Sequence, residues 1–350
     1  MERFHLTSEY SISRVIMGGW QMAGGHGAIE REQALVTLRA YAEKGITTFD
    51  CADIYTGVES LIGDFIRRNR DAMRNGSLPE IQVHTKYVPD LDSLSTLSRQ
   101  DVQATIDRSL TRLGVERLDL VQFHWWDYDI PGYVEAALHL DALRQAGKIR
   151  HVGLTNFDAA RLAEIWEAGV PVVSNQVQYS VLDHRPERGM VEFCESHGLR
   201  LLCYGTVAGG FLSERYLGVA EPTPPFENRS LTKYKLIIDE FGGWELFQQL
   251  LGTMDEIAQR NGVGIAAVAT RYVLQKRGVG AAIVGARHVR HLSETLRLSS
   301  FVLSETDLSA IGKITGQSKG PVGDIYGLER IKGGKHAAIM KYDLGKAGAQ

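Results

Sequence analysis

Eight short apolar runs alternate with helical patterns along most of this 350-residue chain. Each run holds four to six residues, many of them Val, Ile, Leu or Phe, as expected of buried strands. The predicted strands are 14–17, 47–50, 81–86, 118–123, 149–153, 172–177, 200–204 and 281–284. Strands that alternate with helices form parallel sheets, and eight is the number that closes a barrel. The sequence therefore predicts an α/β fold, a (β/α)8 TIM barrel with long substrate loops and a C-terminal tail.

The segments between these runs carry apolar residues at helical spacing. The predicted helices are 31–44, 59–70, 101–113, 133–146, 159–168, 188–197, 244–260, 265–276 and about 288–298. Gly45 and Gly147 stand directly after two of these helices, where C-cap glycines are common. We predict a single domain over residues 1–350, with a barrel core over about 12–312 and a C-terminal loop and tail over 313–350.

A doubly wound parallel sheet is the alternative fold for such an alternation. Its dinucleotide-binding form carries G-x-G-x-x-G after the first strand, and here that strand leads instead to Met-Gly-Gly-Trp at 17–20. The fingerprint occurs nowhere else in the chain, and neither does the phosphate-binding G-x-x-x-x-G-K-[ST] motif. The pattern therefore favours the barrel.

Three segments are longer than a barrel requires, namely 125–132, 206–240 and 317–350. Long loops on a compact domain are usually functional or disordered. The first two follow predicted strands, at the end of the barrel where active sites form, so we expect these segments to enclose a substrate. The last few residues of the tail are expected to fray.

Composition excludes several classes of protein. The net charge is −3, with no long run of one sign, so neither a nucleic acid nor a membrane is an expected partner. No apolar stretch reaches the length of a membrane span, and residues 1–20 lack the pattern of a signal peptide. Cys51, Cys194 and Cys203 form no C-x-x-C pair, which favours a reducing compartment. We expect a cytoplasmic protein.

Four polar residues stand at or just past the carboxyl ends of predicted strands: Asp50, Tyr55, Lys86 and His124. A buried ammonium beside a phenol is expected to lower the pKa of the phenol, and a carboxylate can hold that ammonium in place. Tyr55 could then exchange a proton with a carbonyl or alcohol oxygen, and His124 could donate a hydrogen bond that orients the same oxygen. Singly each residue is weak evidence, since Asp often caps helices and a lone His is usually structural. Their conjunction indicates carbonyl chemistry.

Six motifs extend this pattern, at 48–50 with Tyr55, 84–86, 119–124, 153–157, 175–179 and 204–210. Their order resembles that of the aldo-keto reductases over about residues 12–312. The resemblance implies a barrel that binds an extended nicotinamide cofactor without a Rossmann domain. It also implies that Tyr55 donates the proton, that Lys86 and Asp50 tune it, and that His124 positions the carbonyl.

The resemblance assigns cofactor contacts residue by residue. Thr155, Asn156 and Gln176 resemble the residues that hold the nicotinamide carboxamide, and Tyr204 resembles the aromatic that stacks on the nicotinamide ring. The loop 205–212 resembles the segment along which the pyrophosphate passes, where backbone N–H groups contact it. The full set implied is Gly19, Trp20, Asp50, Thr155, Asn156, Gln176, Tyr204, Gly205, Thr206, Gly210, Leu212, Gly285, Arg287, His291, Glu294 and Thr295.

Arg287 bears on the choice of cofactor. Cations at a helix start are unusual unless an anion docks there, and the family places the adenosine 2′-phosphate at this point. We therefore expect NADPH. Gly285 and Ala286 stand where many members have Lys and Ser, and Thr295 stands where Asn usually meets adenine, so use of NADH as well remains open. The rival interpretation is an exposed basic helix end.

The expected substrate pocket is aromatic. Trp20, Trp125, Trp126 and Tyr128 resemble its walls, next to Tyr55 and His124. An apolar cavity suits a bulky or hydrophobic carbonyl compound. The run Phe-His-Trp-Trp-Asp-Tyr at 123–128 and the tail around 336–342 resemble a bacterial and plant branch of the family, in which some relatives are associated with large ketones, including fungal toxins. A keto group on a toxin or another secondary metabolite is therefore one expected substrate.

Two other functions were weighed. Some barrels of this type are nucleotide-sensing subunits of ion channels with slow chemistry, and the intact tetrad favours an enzyme over that role. A metal-dependent hydrolase is disfavoured despite eleven histidines, because no H-x-H at a strand end and no H-E-x-x-H occurs, so no metal is expected. The sequence leaves open the substrate, the direction of reaction, the product stereochemistry and the oligomeric state.

Overall fold

A two-stranded hairpin precedes the barrel in this computed structural model, which describes residues 1–24, 27 and 30–344. Its strands are β1 (Arg3–Thr7) and β2 (Tyr10–Ser13). Arg3 Nη1 donates to Thr47 Oγ1 at 2.9 Å, which places the hairpin at the amino ends of the barrel strands. Tyr10, 2% exposed, packs with Leu120 and Leu202 from inside the barrel. The hairpin therefore closes the bottom of the barrel, a feature that the sequence pattern did not predict.

Eight parallel strands form a closed barrel in the order β10-β3-β4-β5-β6-β7-β8-β9. They are β3 (Val15–Gly18), β4 (Thr48–Asp50), β5 (Gln82–Tyr87), β6 (Leu118–Phe123), β7 (Ile149–Thr155), β8 (Val172–Gln178), β9 (Arg200–Tyr204) and β10 (Val279–Gly285). Each overlaps one of the predicted runs. The predicted (β/α)8 TIM barrel is confirmed.

Helices surround the barrel. They are α1 (Arg31–Glu43), α2 (Val58–Arg74), α3 (Arg99–Leu113), α4 (Tyr133–Gln145), α5 (Ala159–Glu167), α6 (Met190–Ser196), α7 (Arg229–Phe241), α8 (Gly243–Asn261), α9 (Ile265–Leu274), α10 (Leu292–Arg297), α11 (Glu305–Thr315) and α12 (Gly327–Arg330). The sequence pattern missed α7, α11 and α12.

Local signals explain where prediction and structure differ. Helix α7 begins inside the segment 206–240 that was predicted to be a loop and ends one residue past it, and the Asn228 side chain caps it by accepting from Leu231 N. Helix α11 begins at a capping box between Ser304 and Asp307, a sequence signal that was overlooked. The helix predicted at about 288–298 opens as a 3-10 turn, Val289–His291, before α10.

The core of the described residues forms three apolar clusters. A small one around Ile16, Leu120 and Leu202 fills the lower barrel, a large one packs the outer faces of the strands against the helices, and a second small one packs β3 and β10 against α9. Toward the carboxyl ends the barrel interior becomes polar, with Asp50, Lys86 and other ionisable or amide side chains buried there. Among the described residues, no helix combines the length and apolarity needed to cross a bilayer.

Helices α2 and α3 touch at Gly63. A Cβ at this position would lie 2.2 Å from Arg112 O, so any side chain must push the two helices apart. We expect Gly63→Ala to lower the free energy of unfolding by about 1–3 kcal/mol through overpacking. Gly252→Ala is the matched control, because Gly252 also lies in a helix and a Cβ there would meet nothing within 4 Å.

Urea denaturation of both variants measures the difference. The control should be as stable as the parent or gain about 0.5–1 kcal/mol from helix propensity. Equal stability of the two variants would contradict the close packing of α2 on α3.

Candidate active site

A buried ion pair stands at the carboxyl end of the barrel. Lys86, at the end of β5, donates from Nζ to Asp50 Oδ2 at 2.6 Å and to Cys51 O at 2.9 Å. The side chains of Lys86 and Asp50 are 6% and 4% exposed. The same ammonium lies 5.0 Å from the centroid of the Tyr55 ring. Three members of the predicted tetrad are therefore in contact.

Two glutamines hold the other oxygen of Asp50. Gln122 Nε2 donates to Asp50 Oδ1 at 3.0 Å, and Gln176 Nε2 donates to the same oxygen at 2.6 Å and to Gln122 Oε1 at 2.8 Å. The resemblance assigned Gln176 to the cofactor, and here its amide nitrogen donates to Asp50 and to Gln122. Gln122 was given no role from the sequence, although its place in β6, two residues before His124, puts both side chains on one face of the strand.

Burial and neighbouring charge shift the pKa values of Lys86 and Tyr55 in opposite directions. Burial lowers the pKa of Lys86, but the charge and hydrogen bond of Asp50, together with Tyr55, outweigh it and the pKa is raised, so the ammonium stays charged. Burial raises the pKa of Tyr55, and Lys86 offsets only part of that increase. The expectation of a net lowered Tyr55 pKa is thus wrong, because desolvation of the phenolate raises the pKa by more than the Lys86 ammonium lowers it. Tyr55 is therefore a protonated phenol, ready to donate.

His124 is neutral in this environment. Its burial, followed by the positive charge of Arg330, lowers its pKa to about 3. Nδ1 lies 3.1 Å from Thr155 O, and since a carbonyl only accepts, the ring proton is on Nδ1. Nε2 has no partner among the described residues and is an acceptor in this tautomer. The expected hydrogen bond from His124 to a carbonyl would need the other tautomer, whereas Nε2 as it stands fits the O–H of an alcohol.

Asp53 braces the loop that carries Tyr55. Its Oδ2 accepts from Val88 N at 3.2 Å and its Oδ1 accepts from Ile54 N at 2.9 Å, which ties this loop to the segment after β5. Asp53 was not among the site residues predicted from the sequence. Its position between Asp50 and Tyr55 was the available signal.

The residues expected around a nicotinamide also meet. Asn156 has a φ of 62°, unusual for a residue with a side chain, and its Oδ1 accepts from Tyr204 Oη at 2.8 Å. Asn156 N and Thr155 Oγ1 both donate to Gln176 O, at 2.9 and 3.1 Å. The structure thus joins the ends of three strands, β7, β8 and β9, through the four residues that the resemblance assigned to the nicotinamide.

The loop after β9 makes a tight turn. Gly205, Ala208, Gly209 and Gly210 have φ values of 76°, 47°, 65° and 106°. A Cβ on Gly205 would lie 2.5 Å from the hydroxyl of Tyr234, so glycine here allows α7 to pack directly on the loop. Of the other residues expected in this loop, Thr206 and Leu212 are buried.

Residues expected at the remote end of the cofactor lie around the end of β10. Arg287 is close to Gly27, where a Cβ would meet Nη2 at 3.0 Å, and a Cβ on the exposed Gly285 would meet the Gln21 side chain at 2.5 Å. The side chains of His291 and Glu294 are exposed. Thr295 is buried, and its hydroxyl donates to His291 O at 2.9 Å. At the near end, Gly19 N donates to Asp50 O at 2.8 Å, and a Cβ on Gly19 would meet that same oxygen at 2.8 Å.

Aromatic rings surround the tetrad. Trp20 lies 5.0 Å from Tyr55 between ring centroids, and Trp126 lies 4.4 Å from His124 in an edge-on arrangement. Beside Trp126 there is a cavity of about 300 Å³, which tail residues including Tyr326 and Tyr342 also line. Trp125, expected as a wall, is instead fully buried.

Two further aromatic contacts define this region. Trp125 Nε1 donates to the carbonyls of Asp127 and Ile130, both at 3.0 Å, so the ring stabilises its own loop. Tyr128 lies under the guanidinium of Arg330, 4.1 Å from ring centroid to Cζ. In the part of the chain that the structure describes, no group of three or more His, Cys, Asp or Glu side chains could hold a metal.

The tail folds over the mouth of the barrel, and its charged residues were missed by the sequence argument. Glu329 pairs with Arg185 at 3.0 Å and with Lys233 at 3.7 Å, and its side chain is 0% exposed. Burial raises the pKa of Glu329, but Arg185 and Lys233 outweigh it and hold the pKa at about 2. The predicted tail segment 345–350 lies outside the described residues.

Comparison with known proteins identifies the family. The model of the aldo/keto reductase family matches residues 14–315. Flagellar radial spoke protein 5 of Chlamydomonas reinhardtii is 32% identical over 257 residues, covering 63% of this chain, and the chain spans 48% of that relative. Chloroplastic pyridoxal reductase of Arabidopsis thaliana is 30% identical over 281 residues, covering 75% of this chain and 73% of that protein.

A solved structure supports the same assignment. A thermostable aldo-keto reductase in complex with the inhibitor epalrestat has a TM-score of 0.70 and 27% identity, covering 90% of this chain and 100% of that one. The family match spans most of the chain and the barrel agrees with it. This chain belongs to the aldo/keto reductase family and is an NAD(P)-dependent oxidoreductase.

Proposed function

We propose that this protein is an NADPH-dependent carbonyl reductase, which transfers hydride from the nicotinamide to an aldehyde or ketone and can oxidise the corresponding alcohol. The buried Lys86–Asp50 pair beside Tyr55 carries the proposal. A fixed cation there stabilises the negative charge that grows on the Tyr55 oxygen as its proton leaves. A solvated surface lysine would give little of this effect.

The residues present fit a nicotinamide nucleotide. Asn156 Oδ1 accepts from Tyr204, which leaves its Nδ2 as a donor to a carboxamide oxygen. Both N–H groups of Gln176 are used, which leaves its Oε1 as an acceptor for the carboxamide N–H. Tyr204 offers a ring face for stacking, and the left-handed turn after it is the kind of backbone conformation that forms anion-binding concavities, which suits a pyrophosphate. When bound, the cofactor supplies the hydride.

The protein supplies the proton and the geometry. Tyr55 donates its hydroxyl proton to the carbonyl oxygen as hydride arrives at the carbon, and Lys86 stabilises the phenolate left behind. The newly formed alcohol O–H can donate to His124 Nε2, the buried acceptor without a partner in the described part of the chain. Trp20 packs against Tyr55 and Trp126 packs against His124, so each proposed polar contact to the carbonyl oxygen has an aromatic neighbour.

The cavity beside Trp126 supports a bulky, largely apolar substrate. Trp126, Tyr326 and Tyr342 provide its aromatic wall, and a volume of about 300 Å³ accommodates a ring system. The name of the Arabidopsis relative suggests pyridoxal as a first aromatic aldehyde to assay. Ketones of secondary metabolites are the second group, in keeping with the pocket's apolar character.

Tyr55→Phe removes the proton donor and keeps the ring. We expect kcat for carbonyl reduction to fall by about 10²–10⁴-fold, the usual contribution of general acid catalysis. The Kd for NADPH, measured by protein fluorescence, should stay within a factor of three.

Tyr133→Phe is the matched control, because its hydroxyl bonds Glu164 at the surface. That variant should turn over normally. If Tyr55→Phe retained the parent's kcat, Tyr55 would not be the acid.

Arg287 is proposed to bind the 2′-phosphate of NADPH. We expect Arg287→Ala to weaken NADPH by about 10-fold or more, since a hydrogen bond to a charged group contributes about 1.5–3 kcal/mol. NADH binding should change little, because NADH lacks that phosphate.

Arg290→Ala provides the comparison, since Arg290 is exposed and bonds His291 rather than facing Gly27. Fluorescence titration of the parent and both variants with each nucleotide measures the six dissociation constants. Equal losses for NADPH and NADH in Arg287→Ala would contradict a phosphate-binding role.

A further inference from the structure

Arg330 comes from the tail, beyond residue 315 where the match to the family model ends. Its Nη2 donates to Trp125 O at 2.9 Å and to Asn156 O at 3.1 Å. Trp125 directly follows His124, and Asn156 directly follows Thr155. One guanidinium nitrogen therefore bridges the ends of β6 and β7, at the two residues next to the His124–Thr155 hydrogen bond.

We propose that Arg330 is a positioning residue for His124 and for Asn156. The inference rests on the function proposed above for those two residues. His124 keeps its orientation only while Thr155 O stays 3.1 Å from Nδ1, a distance set by how the ends of β6 and β7 lie. Because Arg330 binds both ends, it fixes that distance and with it the direction of Nε2.

The surroundings of Arg330 hold its guanidinium in place. Its guanidinium lies between the rings of Tyr128 and Tyr326, at 4.1 and 5.1 Å from their centroids. No carboxylate of the described residues pairs with it, so its charge is not neutralised locally. Burial, followed by that charge, lowers the pKa of His124 and keeps the ring neutral, and the hydrogen bond to Thr155 O places its one proton on Nδ1.

Asn156 gains from the same contact. Its backbone is held at a φ of 62°, a conformation that costs free energy for a residue with a side chain. The hydrogen bond from Arg330 to Asn156 O helps maintain it, together with those made by Gln176 and Tyr204. The side chain proposed to hold the carboxamide is thus braced from the tail.

The tail has a separate attachment, which allows Arg330 to be tested alone. Glu329, the preceding residue, binds Arg185, which follows β8, and Lys233, which lies in α7. Replacing Arg330 therefore leaves the tail anchored. Arg188 supplies a matched control, because this exposed arginine also donates to a tail carbonyl, Gly323 O at 3.3 Å, away from the tetrad.

The experiment compares Arg330→Ala, Arg330→Met and Arg188→Ala as full-length proteins. We expect both Arg330 variants to lose at least 10-fold in kcat, because His124 is no longer held in place, and to bind NADPH more weakly than the parent, because Asn156 loses one of its supports. Millimolar guanidinium chloride should restore part of kcat in Arg330→Ala, where it can enter the space left, but not in Arg330→Met. Arg188→Ala should have the same kcat as the parent, and guanidinium should not change it.

A second readout does not depend on activity. The ¹⁵N chemical shifts of the His124 ring, assigned with His124→Gln, should report a single Nδ1–H tautomer in the parent and a mixture in Arg330→Met. Unchanged kcat in both Arg330 variants would overturn the proposal, as would a loss of kcat without guanidinium rescue and with unaltered His124 shifts. A parent that reduces no carbonyl compound would contradict the proposed function instead, while the ring shifts would still test whether Arg330 controls His124.

Discussion

The Lys86–Asp50 ion pair is the interaction on which the rest of the site depends. Burying two charges is costly unless they are paired and their remaining hydrogen-bonding positions are filled. Here Gln122 and Gln176 fill those of Asp50, and Cys51 O accepts a further bond from Lys86. The barrel strands surround this group, and β4, β5, β6 and β8 each contribute one of its four side chains. The strand order therefore determines the chemistry.

The pair also explains how Tyr55 can serve as an acid. Burial alone would make the phenolate too costly to form, which is the larger effect on its pKa. The ammonium offsets part of that cost, and the offset grows as charge develops on the oxygen. Proton transfer from Tyr55 is thus assisted by a charge that is already in place, with no reorganisation of water.

The sequence predicted the barrel strands and the tetrad because both depend on local pattern. Apolar runs indicate strands, and a polar residue at the end of a run indicates a position at the carboxyl end of the barrel. Gln122 and Arg330 were missed for a different reason, since their partners, Asp50 and the carbonyls after β6 and β7, are distant in sequence. Trp125 was misplaced because nothing local shows which way a loop side chain turns. The low pKa of His124 likewise depends on burial by the tail.

The central claim is that Lys86 lowers the cost of ionising Tyr55, and the pH dependence of hydride transfer tests it most directly. Stopped-flow reduction of an aromatic aldehyde should slow as pH rises through the pKa of Tyr55, because the donor is lost. In Lys86→Met the plateau rate should fall and the alkaline limb should move to higher pH, since the phenol then ionises less easily. An alkaline limb at the same or lower pH in Lys86→Met would contradict the account.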